Sequence, residues 1–121
     1  NIKQVKLYDY TYSKIKKCTI HDDVTENKTM SDILCDIYKY IGDGAKIIKN
    51  TTLNIKTLRR TNKGYKYIDE LGISFQRVDS TKSIIEIMTQ CDMNDINILI
   101  EMTLGNTQPV NIINNICDKN N

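Results

Sequence analysis

The chain has 121 residues, 40% of them apolar and 26% charged, with a formal net charge of only +2. That is room for one domain with one core, and too apolar at so low a net charge for an intrinsically disordered segment. No run of 18 apolar residues occurs, so no membrane-spanning helix is expected.

The bulk charge conceals an uneven distribution. Residues 1–68 hold twelve Lys and two Arg against seven acids, a balance of +7, whereas residues 69–121 hold two Lys and one Arg against eight acids, a balance of −5. Residues 44–68 alone carry seven cations and no acid. A positive pole of this kind attracts a polyanion, or the opposite pole of a second copy. The composition is also skewed, with twenty Ile, fourteen Lys and thirteen Asn against one Ala, one Phe, one Pro and no Trp. These favoured residues have A/T-rich codons, which points to an AT-rich genome: a virus, phage, mobile element or low-GC microbe.

In chain order, residues 3–20 read as extended. Tyr8, Tyr10 and Tyr12 alternate with Asp9 and Thr11, so one strand face would present a row of tyrosines, with a break near Ser13 before a second strand ending at Ile20. Residues 21–28 are polar and read as a loop. Met30, Ile33, Leu34, Ile37, Tyr38 and Ile41 then recur at helical spacing, with Thr29 or Ser31 as cap and Gly42 as stop. Lys46, Ile47, Ile48 and Lys49 suggest a short strand. Residues 53–60 suggest a longer one, turned at Asn62-Lys63-Gly64 into a return strand over 65–68. Gly72 closes a single turn around Leu71, and residues 73–78 alternate as another strand. A helix is expected over 81–91, with Ile84, Ile85, Ile87, Met88 and Cys91 inward. Residues 95–104 fit a strand slightly better than a helix because β-branched residues are dense there. A last helix is expected from Pro109 in its first turn, with Val110, Ile113, Ile116 and Cys117 inward.

These elements imply an α+β fold over residues 1–113, with one mixed sheet of four to six short strands against two or three helices. Their order allows a split βαβ arrangement. The chain begins at Asn1 rather than Met and reads as a fragment of a longer one, with 114–121 as a polar tail or linker stub.

No catalytic signature is found, and no cofactor or metal is expected. Cys18, Cys35, Cys91 and Cys117 are far apart, and one His cannot complete a usual zinc set, so four reduced, structural thiols are expected in an intracellular protein. His21, Asp22 and Asp23 put the lone imidazole beside carboxylates, but adjacent residues rarely face one substrate. Gly42-Asp43-Gly44 follows a helix, so it reads as a stop rather than a phosphate cradle.

The basic region 46–66 is the candidate nucleic-acid site. Lys46, Lys49, Lys56, Arg59, Arg60, Lys63 and Lys66 can neutralise phosphates, while Tyr65 and Tyr67 offer stacking faces. In an extended 53–60 strand Lys56 and Arg60 share a face and Arg59 points away. The competing reading is a solvated hairpin whose charges keep an edge from aggregating. The alternative function is a protein-interaction or inhibitory domain. It would use Tyr8, Tyr10 and Tyr12, or the acidic half through Asp69, Glu70, Asp79, Glu86, Asp92, Asp95 and Glu101.

Overall fold

The stripe of apolar residues from Met30 onward becomes the helix α1 (Met30–Ile41). Thr29 accepts from the Asp32 backbone N–H while the Asp32 carboxylate accepts from the Thr29 N–H, closing a capping box, and Gly42 ends the helix in the left-handed conformation (φ 69°). The structure, a computed structural model, describes residues 8–26 and 28–114. Cys117 and all of the expected polar tail except Asn114 lie outside these residues.

The remaining elements are β1 (Lys14–Ile20), β2 (Asp23–Glu26), α2 (Gly44–Asn50), β3 (Ile55–Lys56), β4 (Tyr65–Ile68), a 3-10 turn (Asp69–Leu71), β5 (Ile73–Gln76), α3 (Ser80–Met93), β6 (Ile98–Thr103) and β7 (Pro109–Ile113). The α+β class holds, with the strands divided between two antiparallel sheets rather than gathered into one. The larger has the order β2-β1-β6-β7 and the smaller β3-β5-β4. Every strand pair among the described residues is antiparallel, so β2 and β6, which flank β1, run parallel to each other with the helices between them in sequence, the order of a split βαβ unit into which the smaller sheet is inserted.

Several expectations are corrected. Residues 8–13 are not a strand; they form a turn in which Tyr12 has φ 60°. Residues 23–26 are a strand rather than a loop, joined to β1 through a left-handed His21 (φ 52°). An edge strand open to water needs no apolar pattern, so its polar sequence concealed it. Residues 46–49 are helical: the Asp43 side chain accepts from the Lys46 N–H, a turn starts where Gly42 has just released α1, and Ile47 is the buried side chain of the new helix. Pro109 starts an edge strand, where its missing N–H is harmless, and Val110 and Ile112 point inward with period two. Asn114 belongs to the domain: its side-chain carbonyl accepts from the Ile98 N–H and its amide donates to the Ile96 carbonyl.

The core is shared by all layers. Cys18, Ile20, Ile98 and Ile100 descend from the larger sheet, Ile33, Leu34 and Ile37 from α1, Ile84, Ile87 and Cys91 from α3, and Ile68, Ile73 and Phe75 from the smaller sheet. A fully buried Ile of this kind contributes about 2 kcal/mol through desolvation. The ring of Tyr38 meets Phe75 edge-on at 5.4 Å and ties α1 to the smaller sheet. Since β1 pairs with β6 and α1 packs on α3, the basic and acidic halves of the sequence interleave in space. No helix among the described residues is long and apolar enough to cross a membrane.

Candidate nucleic-acid interface

The register of the smaller sheet sorts its basic and aromatic residues onto two faces. Ile55 and Lys66 pair with Phe75, and Ile68 with Ile73, so these five share the core side. Lys56 and Tyr67 pair with Ser74, and Tyr65 with Gln76, on the outer side. The expected hairpin between 53–60 and 65–68 does not form. Its two arms flank β5, because β3 ends at Lys56 and β5 supplies the central partner for both.

Beyond Lys56 the chain crosses over the outer face of the sheet and hangs on one hydroxyl. Ser74, completely buried, donates through Oγ to the Leu58 carbonyl at 2.8 Å and accepts the Arg60 backbone N–H at 2.9 Å. This crossing reverses an expectation: Arg59 and Arg60 do not diverge. The Arg60 guanidinium lies over the Tyr65 ring at 4.8 Å and the Arg59 guanidinium over the Tyr67 ring at 5.8 Å. Arg60 also donates through Nε to Asn62 Oδ1 at 3.0 Å. Tyr65 is only 6% exposed. With the ring this buried, the half-buried Arg60 rather than Tyr65 is what the surface presents at this point.

Lys63 stands in the turn before β4 with φ 53°, and Gly64 follows with φ 79°. The turn is fixed to β5 by Gln76, whose amide donates to the Lys63 carbonyl, and by Arg77, whose backbone N–H and Nε both donate to the Gly64 carbonyl. Arg77 therefore joins this basic edge, although the sequence assigned it to the acidic half. The expected strand over 73–78 included Arg77, whereas β5 ends at Gln76 and leaves Arg77 just beyond it. Lys66 leaves the group: from the core side it reaches Asp32 at the start of α1, 3.6 Å away. The backbone N–H of Thr29, then Lys66 among lesser causes, holds the Asp32 carboxyl below the usual range. Lys46 and Lys49 stand exposed on α2, one turn apart and apart from the crossing segment. Among the described residues, Lys46, Lys49, Lys56, Arg59, Arg60 and Lys63 have no carboxylate within 4.0 Å.

The tyrosine row does not exist as a face. Tyr10 is buried, Tyr8 is half-buried against it with ring centroids 6.0 Å apart, and Tyr12 is 87% exposed. Burial raises the Tyr10 phenol above its ordinary pKa. Tyr12 is seated by Gly105, where an added Cβ would come within 2.7 Å of the Thr11 carbonyl oxygen.

The acidic residues are not a single surface either. Glu86 is 2% exposed, and its Oε2 accepts from the Tyr38 hydroxyl at 2.6 Å, the Thr51 hydroxyl at 2.5 Å and the Gln90 amide at 3.3 Å. Glu86 is therefore not the surface acid its sequence suggested: it joins α1, α3 and the link after α2 inside the protein. Its signal in the sequence was a polar row, Ser83, Glu86 and Gln90, at helical spacing beside the apolar stripe. Burial, then the Glu86 charge, pushes the Tyr38 phenol far up.

Cys18, Cys35 and Cys91 are free and buried. Burial raises the Cys18 thiol to about 11 and raises Cys35 and Cys91 as well, so all three stay protonated and inert at neutral pH. His21 packs against Tyr40 at 5.1 Å. Among the described residues no three of His, Cys, Asp or Glu gather in a metal-holding group. No protein-family model matches this chain, and neither the curated proteins nor the solved structures gave a match.

Proposed function

We propose that the domain is a non-enzymatic binding module that holds nucleic acid on the outer face of its smaller sheet. Lys56, Arg59, Arg60 and Lys63, with Arg77 beside them, face the phosphates, and the guanidinium groups held over Tyr65 and Tyr67 offer platforms to unpaired bases. The observation that carries this reading is that Arg59 and Arg60 are fixed in position by aromatic rings and not by carboxylates. Their charge is positioned and remains uncompensated, which suits the grip of a polyanion. Lys46 and Lys49 extend the positive field from a separate element.

The test is salt. Four or five neutralised phosphates give a steep dependence, so affinity for a short oligonucleotide should fall by about two orders of magnitude between ~50 and ~200 mM salt. Binding that is absent, or indifferent to salt, overturns the reading.

A second reading, a protein-interaction domain, is favoured by Tyr12 alone. An aromatic residue that is 87% exposed in a left-handed backbone conformation, braced by Gly105, has the geometry of an interface anchor. A protein partner retained after nuclease treatment and lost on Tyr12→Ala would support it; retention by the variant dismisses that surface.

A further inference from the structure

The larger sheet leaves an edge open beside a groove. β2 is terminal in the order β2-β1-β6-β7, so one of its backbone edges pairs with β1 and the other has no strand beside it among the described residues. Between β2 and α1 runs a groove of about 580 Å3, lined on the strand side by Ile20, Val24 and Thr25 and on the helix side by Asp36, Lys39 and Tyr40. Its volume falls within the range of ligand sites. Val24 and Tyr40 are each 52% exposed, and the His21 ring packs against Tyr40 at 5.1 Å.

The charges around this groove are unequal in availability. Lys28 donates to Asp36 at 2.6 Å, and Lys39 meets Glu70 at 3.1 Å, so both lysines are already neutralised within the molecule. Asp22, Asp23 and Glu26 make no ion pair among the described residues. The uncompensated charge carried by β2 and its turn is therefore negative, with Lys17 facing Glu26 across the β1–β2 ladder. It also opposes closure of the edge by a second copy. Two β2 strands paired antiparallel about their centre would set Asp23 opposite Glu26 twice, and like charges directly across a ladder are destabilising.

We propose that this groove binds an extended, basic peptide segment of a protein partner, which adds as a strand to β2. Main-chain hydrogen bonds to the open edge would supply affinity, and alternate side chains would supply selectivity. By the β1–β2 register, one set would lie on the groove face beside Ile20, Asp23, Thr25 and Tyr40, while the alternate set would meet Val24 and Glu26 on the opposite face. The four residues of β2 accommodate a strand of about 13 Å at roughly 3.3 Å per residue. The site is separate from the basic face of the smaller sheet and stands or falls independently of it.

The experiment is an NMR titration of the whole chain with three eight-residue peptides. The first alternates Lys and Val, the second alternates Glu and Val, and the third is the Lys peptide with alternate backbone nitrogens methylated. The Lys peptide should bind and shift the amides of Asp23, Val24, Thr25 and Glu26 together with those of Asp36 and Tyr40. The Glu peptide, and the Lys peptide against the Asp23→Lys/Glu26→Lys protein, should bind at least about tenfold more weakly. Methylation along the pairing edge should abolish binding. No binding of the Lys peptide up to ~1 mM, equal binding of the Lys and Glu peptides, undiminished binding of the methylated one, or shifts confined to other elements would overturn the proposal. So would sedimentation showing that a second copy occupies the β2 edge.

Discussion

Two polar constellations in this protein treat charge in opposite ways. Around Glu86, one buried carboxylate oxygen collects donors from Tyr38, Thr51 and Gln90, and no buried side-chain polar atom among the described residues lacks a partner. On the smaller sheet, two guanidinium groups are positioned by rings while their charge is left open. The first arrangement is closed and can only hold elements together. The second spends its local contacts on orientation and keeps its charge for something outside. Satisfied polarity marks a structural role, and oriented but uncompensated polarity marks a place for a ligand.

The comparison breaks or sharpens by substitution. The largest effect is expected at Glu86: Glu86→Ala strands two hydroxyls and an amide in the interior and should lower stability by about 3 kcal/mol in urea unfolding. A loss below about 1 kcal/mol would show that water or rearrangement satisfies those donors. Next, Arg59→Ala/Arg60→Ala should weaken oligonucleotide binding by ten- to a hundredfold and flatten its salt dependence by roughly two phosphates. Its unfolding midpoint should move little, since each exposed cation–ring contact contributes only about 0.5–1 kcal/mol. Stability lost without affinity would assign the arginines to structure.

Tyr38→Phe comes third, removing one hydrogen bond for about 1 kcal/mol at neutral pH. The phenol is also a handle on pH. Its folded pKa lies above the ordinary 10.0, so the folded state keeps its proton longer than the unfolded state. The associated stability is complete below pH 10 and declines as pH rises above it; Cys18 and Cys91 act in the same direction from 9.0 upward. Alkaline unfolding curves should therefore be shallower for Tyr38→Phe than for the parent. The smallest effect is expected at Lys66→Ala. Its partly exposed pair with Asp32 is worth at most about 0.5 kcal/mol, and its place on the core side of the sheet predicts unchanged oligonucleotide affinity. A large loss there would mean that the ligand wraps past the sheet edge.

What the sequence disclosed follows from the range of the interactions involved. α1 was readable because its stripe, capping box and terminal glycine all lie within fourteen residues. β6 was readable because Ile98, Ile100 and Met102 alternate strictly. The Lys46-Ile47-Ile48-Lys49 run fits either period, and only the Asp43 cap, read as the end of one helix rather than the start of the next, decides it. Pro109 suits the first turn of a helix as well as the edge of a sheet, and its partner Thr103 is what settles the matter. The site was half legible. Its cations and tyrosines were visible as a cluster, but β5 had to come between β3 and β4 for Arg59 and Arg60 to meet Tyr67 and Tyr65. Nothing local encodes that order. The apparent dipole of the chain was likewise a property of the string: pairing β1 with β6 folds one half onto the other.

The hydroxyl of Ser74 has a consequence well beyond its size. By fastening the backbone at Leu58 and Arg60, it fixes the base from which two long cationic side chains reach the rings, so that backbone freedom is not surrendered on docking. The surface is preorganised, and a ligand arriving there meets groups whose ordering entropy was lost when the chain folded. Ser74→Ala would leave every charge in place and still slacken the grip.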